Sequence, residues 1–90
     1  MNWRIKFSTV AEKKYKKLDK NTKTRIKKAL EELGVLENPI FHRQVKSLTG
    51  KLKGFYRLRV GDYRIIFSII QEEKIIAVVN IAPRGKAYKN

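Results

Sequence analysis

No cysteine occurs in these 90 residues, and histidine is reduced to a single copy, His42. The first absence excludes disulfides and thiolate metal sites and fits a reducing compartment. The second excludes a ribonuclease that takes both its general acid and its general base from imidazoles. Acidic side chains are scarce, 8 against 22 Lys and Arg. They form no recognisable ligand set: Glu31-Glu32 and Glu72-Glu73 are adjacent pairs whose side chains diverge. No apolar stretch has the length of a signal peptide or membrane span, and Met1-Asn2-Trp3-Arg4-Ile5-Lys6 alternates polar with apolar residues. These features predict a soluble, cytoplasmic protein with no membrane association. A Gly-rich phosphate loop, a nucleophile elbow, internal repeats and low-complexity segments are also missing.

What the chain has in excess is positive charge. The formal net charge is +14 and the pI about 10.3. Residues 1–45 hold 12 basic and 5 acidic side chains and residues 46–90 hold 10 and 3, so each half carries +7. An even excess of this size is a property of the body of the protein and calls for a polyanion or an acidic protein as partner. The length allows one compact domain, 1–90, with a slim stability margin.

Trp3, Ile5 and Phe7 alternate with Arg4 and Lys6, which predicts a half-buried first strand. Thr9 with Glu12 predicts a capping box, followed by a helix with Ala11, Tyr15 and Leu18 on one face. Asp19-Lys20-Asn21-Thr22 breaks that helix and caps a second, whose stripe of Ile26, Ala29, Leu30 and Leu33 ends near Gly34. Eight lysines between Lys13 and Lys28 fall on the outer faces of this helical hairpin, as a solvated surface or one that meets ribosomal RNA through charge. Residues 40–54 read as a basic connecting loop, with His42 on its surface. Strands are predicted near Phe55–Val60, Tyr63–Ile70 and Lys74–Ala82. The fold class is therefore α+β in the order βααβββ, an antiparallel sheet with the helical hairpin packed on one face. The last two strands are apolar on both sides, Ile75, Ala77, Val79 and Ile81 against Ile76 and Val78, leaving a candidate docking surface on the second face.

Gly61-Asp62 makes a two-residue turn between two of these strands. Strand alternation puts Tyr56, Leu58 and Val60 on one face and Phe55, Arg57 and Arg59 on the other. Arg57 and Arg59 then emerge about 7 Å apart, a spacing suited to successive phosphodiester oxygens. Arg64 follows the turn, and Pro83-Arg84-Gly85-Lys86-Ala87-Tyr88 adds a further arginine and a tyrosine near the terminus. Without metal ligands or a protein nucleophile, the chemistry open to such a set is phosphodiester cleavage by the neighbouring ribose 2′-OH. Arginines would pair the phosphate oxygens and stabilise developing charge.

In Leu48-Thr49-Gly50, Tyr56-Arg57-Leu58-Arg59-Val60-Gly61-Asp62-Tyr63-Arg64 and Pro83-Arg84-Gly85-Lys86-Ala87-Tyr88 the chain resembles the RelE/ParE superfamily of bacterial and archaeal toxins, specifically its RelE-like mRNA endonucleases. The resemblance implies the toxin of a type II toxin–antitoxin system: a ribosome-dependent mRNA endonuclease without cofactor, held inactive by a RelB-like antitoxin, with mRNA and the ribosome as its other partners. It implies catalytic positions at Arg57, Arg59, Arg64 and Arg84, and at Tyr88 as a proton-transfer group. Better-studied relatives carry lysine at the positions of Arg57 and Arg59, and arginine cannot be tuned into a base. Two alternatives remain open at this level: a ParE-like toxin that inhibits DNA gyrase without nuclease activity, and a basic RNA-binding module without catalysis.

Overall fold

Apolar side chains at the predicted spacings produce two helices and a single sheet. In the computed structural model, which describes residues 2–83, the elements are β1 (Arg4–Phe7), α1 (Thr9–Lys16), α2 (Lys20–Gly34), β2 (Val45–Ser47), β3 (Tyr56–Val60), β4 (Tyr63–Ile70) and β5 (Ile75–Pro83). The Arg84 and Tyr88 expectations lie outside the described residues.

Both helix starts are capped by side chains, although the first cap is Ser8 and not Thr9. The Ala11 N–H donates to Ser8 Oγ at 3.0 Å, and the Ser8 hydroxyl in turn donates to the Val79 carbonyl at 3.1 Å. That second bond explains the one-residue difference: Ser8 is fixed from the sheet as well as from the helix. At α2 the Thr22 N–H donates to Asp19 Oδ1 at 3.2 Å, and hydrogen bonding to Thr22 holds the Asp19 carboxyl below its usual pKa. The two helices are tied together where Tyr15 Oη donates to the Lys23 carbonyl, and Phe7 meets the Tyr15 ring edge-on at 5.4 Å between centroids.

The strand order is β1-β5-β4-β3-β2. Two features depart from the sequence expectation. The sheet is mixed, because β1 pairs with β5 in parallel, Arg4 opposite Ile75 and Phe7 opposite Val78. Both helices and strands β2, β3 and β4 lie between β1 and β5 in the chain, a connection long enough for the parallel pairing. Residues 40–54 are also more ordered than a loop. They form a 3₁₀ turn at Pro39–Phe41, the short strand β2 on the free edge of β3, and a second 3₁₀ turn at Gly50–Leu52.

A β-bulge sets the final geometry. Phe67 pairs with Val78 but Ile66 pairs with Asn80, leaving Val79 as an extra residue. Ile76, Val78 and Ile81 consequently all join Ile26, Leu30 and Leu33 in one core with Leu58, Ile65 and Phe67. Strict alternation had put Ile81 on the opposite face. On that opposite face Ile66 and Ala82 form a small cluster with Leu48, Phe55 and Val79. Ile66, Ile75 and Ala82 are at most 4% exposed, whereas Ile70 on the same face remains 38% exposed.

Leu58 is fully buried at the centre of this core, on the strand that also carries Arg57 and Arg59. Leu58→Ala is expected to cost about 2–5 kcal/mol, a large share of the roughly 5–15 kcal/mol typical of a whole domain. Urea unfolding should show it as a lower midpoint with an unchanged slope.

Candidate functional site

The need to bury Val45, Leu58, Ile65 and Ile81 against the helices decides where the arginines go. Those four residues form one cross-strand row, and the rows on either side of it face away from the helices. In one of these outer rows Lys46, Arg57 and Ile66 follow each other across β2 to β4, and Asn80, paired with Ile66 beside the bulge, reaches Lys14 of α1 with its side chain. In the other, Arg59, Arg64 and Ala82 follow each other across β3 to β5. The hairpin turn makes the register. Gly61 has φ +57°, the left-handed value demanded of the first residue in a type II′ turn, and it places Arg59 directly opposite Arg64. A Cβ on Gly61 would also lie 2.7 Å from Arg25 Nη2, so the guanidinium of α2's Arg25 lies close against the turn.

The cations differ in their surroundings. Arg59 is exposed. Arg57 is half-buried, and its Nη1 donates to the Gln44 carbonyl at 3.1 Å. Arg64 is half-buried too, but its Nε and Nη1 atoms are enclosed without a hydrogen-bond partner among the described residues. Its cross-strand neighbours Arg59 and Ala82 provide no acceptor side chain. Burying a guanidinium N–H without an acceptor costs more than the mean hydrogen bond contributes, and directly opposed like charges are themselves unfavourable. An anion on this face of the sheet would relieve the repulsion between the opposed guanidinium groups.

Carboxylates do not balance this charge. Among the described residues the one ion-pair contact is between His42 Nε2 and Glu32 Oε1 at 3.9 Å, and no group of three or more His, Cys, Asp or Glu side chains comes together. Of the lysines on α1 and α2 all but Lys23 are exposed, and Lys14 Nζ donates to Asn80 Oδ1 at 2.7 Å. On the helix side, beside edge strand β1, lies an apolar groove of about 820 Å³ with Ile5, Phe7, Tyr15 and Leu30 in its lining and Lys16, Lys27, Glu12 and Glu31 around it.

Arg57, Arg59 and Arg64 are thus brought together as expected. Sequence reasoning missed Lys46, which faces Arg57 from β2, and missed the part played by Gln44 and His42. The alternation of Val45 with Lys46 was a signal for β2, but three residues are too short a run to separate from a loop. His42, expected on the loop surface, has a side chain only 16% exposed.

Comparison with known proteins places the chain. The family model described as "ParE toxin of type II toxin-antitoxin system, parDE" matches residues 5–88. A putative RelE-like toxin protein of Escherichia coli is 33% identical over 89 residues, covering 97% of this chain and 88% of that protein. Toxin RelE of Mycobacterium tuberculosis is 34% identical over 55 residues, 61% of this chain and 55% of the relative, so that match spans about half of the relative's length. The crystal structure of the archaeal RelE-RelB complex from Pyrococcus horikoshii OT3 contains a chain that superposes with a TM-score of 0.77 at 30% identity, covering 97% of this chain and all of that one. A five-stranded mixed sheet under two helices, a hairpin that bears opposed arginines, and a family match along nearly the whole length agree: the chain belongs to the RelE/ParE superfamily of type II toxin–antitoxin toxins and is RelE-like.

Proposed function

We propose that this toxin is a ribosome-dependent mRNA endonuclease that cleaves by attack of the ribose 2′-OH on the adjacent phosphorus. The observation that carries the reading is the cluster of Arg59 directly opposite Arg64 beside the Lys46–Arg57 pair, a set of cations on one sheet face with no carboxylate partner among the described residues. In the reaction the 2′-O–P bond forms as the P–O5′ bond breaks. The products are a 2′,3′-cyclic phosphate and a 5′-hydroxyl, with one proton leaving the 2′-OH and one reaching the departing oxygen. Arginine forks pair with the non-bridging oxygens as charge builds on them, and partial burial strengthens that pairing. Since arginine stays protonated at physiological pH, proton transfer is assigned, by the family resemblance, to Tyr88, with Arg84 completing the cationic set.

The partner that silences the toxin is an acidic, RelB-like antitoxin. It seats an amphipathic segment in the groove beside β1 and brings carboxylates to a surface whose lysines and arginines make no ion pair among the described residues. A ParE-like gyrase inhibitor is the second reading, favoured by the name of the family model. A DNA supercoiling assay separates the two: inhibition of gyrase without mRNA cleavage selects ParE-like action.

Arg64→Ala or Arg84→Ala is expected to lower cleavage of ribosome-bound mRNA about 10²–10³-fold while ribosome binding falls less. Undiminished toxicity of both variants on expression would overturn the site assignment. A 2′-deoxy substitution at the scissile nucleotide should block the reaction, and mass spectrometry of the products should find the cyclic phosphate.

Arg59→Gln should separate activity from stability. Cleavage drops, whereas the folded state is expected to gain about 0.2–1 kcal/mol by losing the like-charge pair with Arg64. Thermal unfolding should show the gain at low salt and lose it at high salt. At the groove, replacing Lys16 and Lys27 by Glu is expected to slow antitoxin association about tenfold at low ionic strength, measured by stopped flow.

A further inference from the structure

Gln44, between the Pro39–Phe41 turn and β2, is held from both sides. Its carbonyl accepts from the Arg59 N–H at 3.0 Å and from Arg57 Nη1 at 3.1 Å. Its own N–H donates to His42 Nδ1 at 3.0 Å. An Nδ1 that accepts leaves the proton of a neutral imidazole on Nε2, and it is Nε2 that faces Glu32 Oε1 of α2 at 3.9 Å. The ring is anchored at its own backbone as well, since the His42 N–H donates to the Pro39 carbonyl and the Val45 N–H donates to the His42 carbonyl. A continuous set of contacts therefore runs from α2 through the imidazole to residue 44 and ends on the guanidinium of Arg57.

We propose that His42 is a positioning residue for Arg57: its Nδ1 fixes Gln44, and the Gln44 carbonyl holds one arm of the Arg57 guanidinium so that the remaining donors point at the RNA phosphate. The last clause rests on the endonuclease reading, while the positioning itself does not. A carbonyl anchor is worth most for an arginine. The fork spends one N–H on the tether and keeps others for the phosphate, in a fixed plane. The Nδ1 contact also mimics an Asx turn, in which a side-chain oxygen accepts from the N–H two residues on. Asparagine can therefore replace the acceptor and alanine cannot.

The test compares His42→Ala with His42→Asn. His42→Ala is expected to lower kcat for cleavage of ribosome-bound mRNA about tenfold with little change in KM. His42→Asn should recover most of that loss, and His42→Ala added to Arg57→Ala should cost nothing further. Equal loss in both His42 variants, or an undiminished effect of His42→Ala in the Arg57→Ala background, overturns the proposal. A second readout needs no activity: the Arg57 Nε–H heteronuclear NOE in the free protein should fall in His42→Ala and stay at the parent value in His42→Asn. An unchanged NOE in His42→Ala overturns the positioning role whether or not the parent cleaves RNA. A parent protein inactive on ribosomes overturns the endonuclease reading alone.

Discussion

Leu58 cannot be buried without exposing Arg57 and Arg59 on the far side of the sheet. Successive side chains on a strand point to opposite faces, so the hydrophobic demand that draws β3 onto the helices also presents its charged residues outward. The β3–β4 hairpin extends the same coupling across strands. Leu58 opposite Ile65 in the core forces Arg59 opposite Arg64 outside it, and slipping the register by one residue would put guanidinium groups into the core. Packing energy thereby enforces an electrostatic arrangement that is unfavourable by itself. The cations stay together because separating them would sacrifice burial of Leu58, Ile65 and Phe67, all fully enclosed.

Positive charge then has a double consequence. A net charge of +14 on 90 residues repels itself, and the described residues supply no lysine–carboxylate or arginine–carboxylate pair to relieve it. The folded protein is strained in a way that a polyanion or an acidic polypeptide would relax. Arg64 concentrates the effect, since it stands directly opposite Arg59 and its Nε and Nη1 are enclosed without an acceptor among the described residues.

Much of this was legible in the sequence, for reasons that also explain what was not. Period-2 alternation identified β3, runs of apolar β-formers identified β4 and β5, and Gly61-Asp62 fixed the pairing of β3 with β4, so the placement of Arg57, Arg59 and Arg64 followed. The second helix was marked by Asp19 and by a stripe that stops at Gly34, both found as expected. What failed depended on tertiary contact. Ser8 replaces Thr9 as the cap because the sheet reaches it through Val79. The parity of β5 changes at a bulge that no local signal marks, and β2 exists only because β3 offers it an edge. His42 looked like a loop residue because its partners are the Gln44 backbone and Glu32, the one invisible to residue-type reasoning and the other distant in sequence.

Arginine at positions 57 and 59, where lysine would also supply a positive charge, acquires meaning in this setting. A lysine ammonium is a point charge on a flexible stem, and a proton acceptor only when its environment strips the charge away. Arginine gives up that option and gains a rigid plane of donors, an advantage only where the plane is held still. At Arg57 the Gln44 carbonyl supplies the restraint, and Gln44 is itself bonded to Arg59's backbone and to His42. The arginine at position 57 and the ordered 42–44 segment therefore form one unit, which suits charge stabilisation by a fixed fork better than proton transfer from the sheet. On the endonuclease reading, proton transfer would then come from outside the hairpin, the role proposed above for Tyr88.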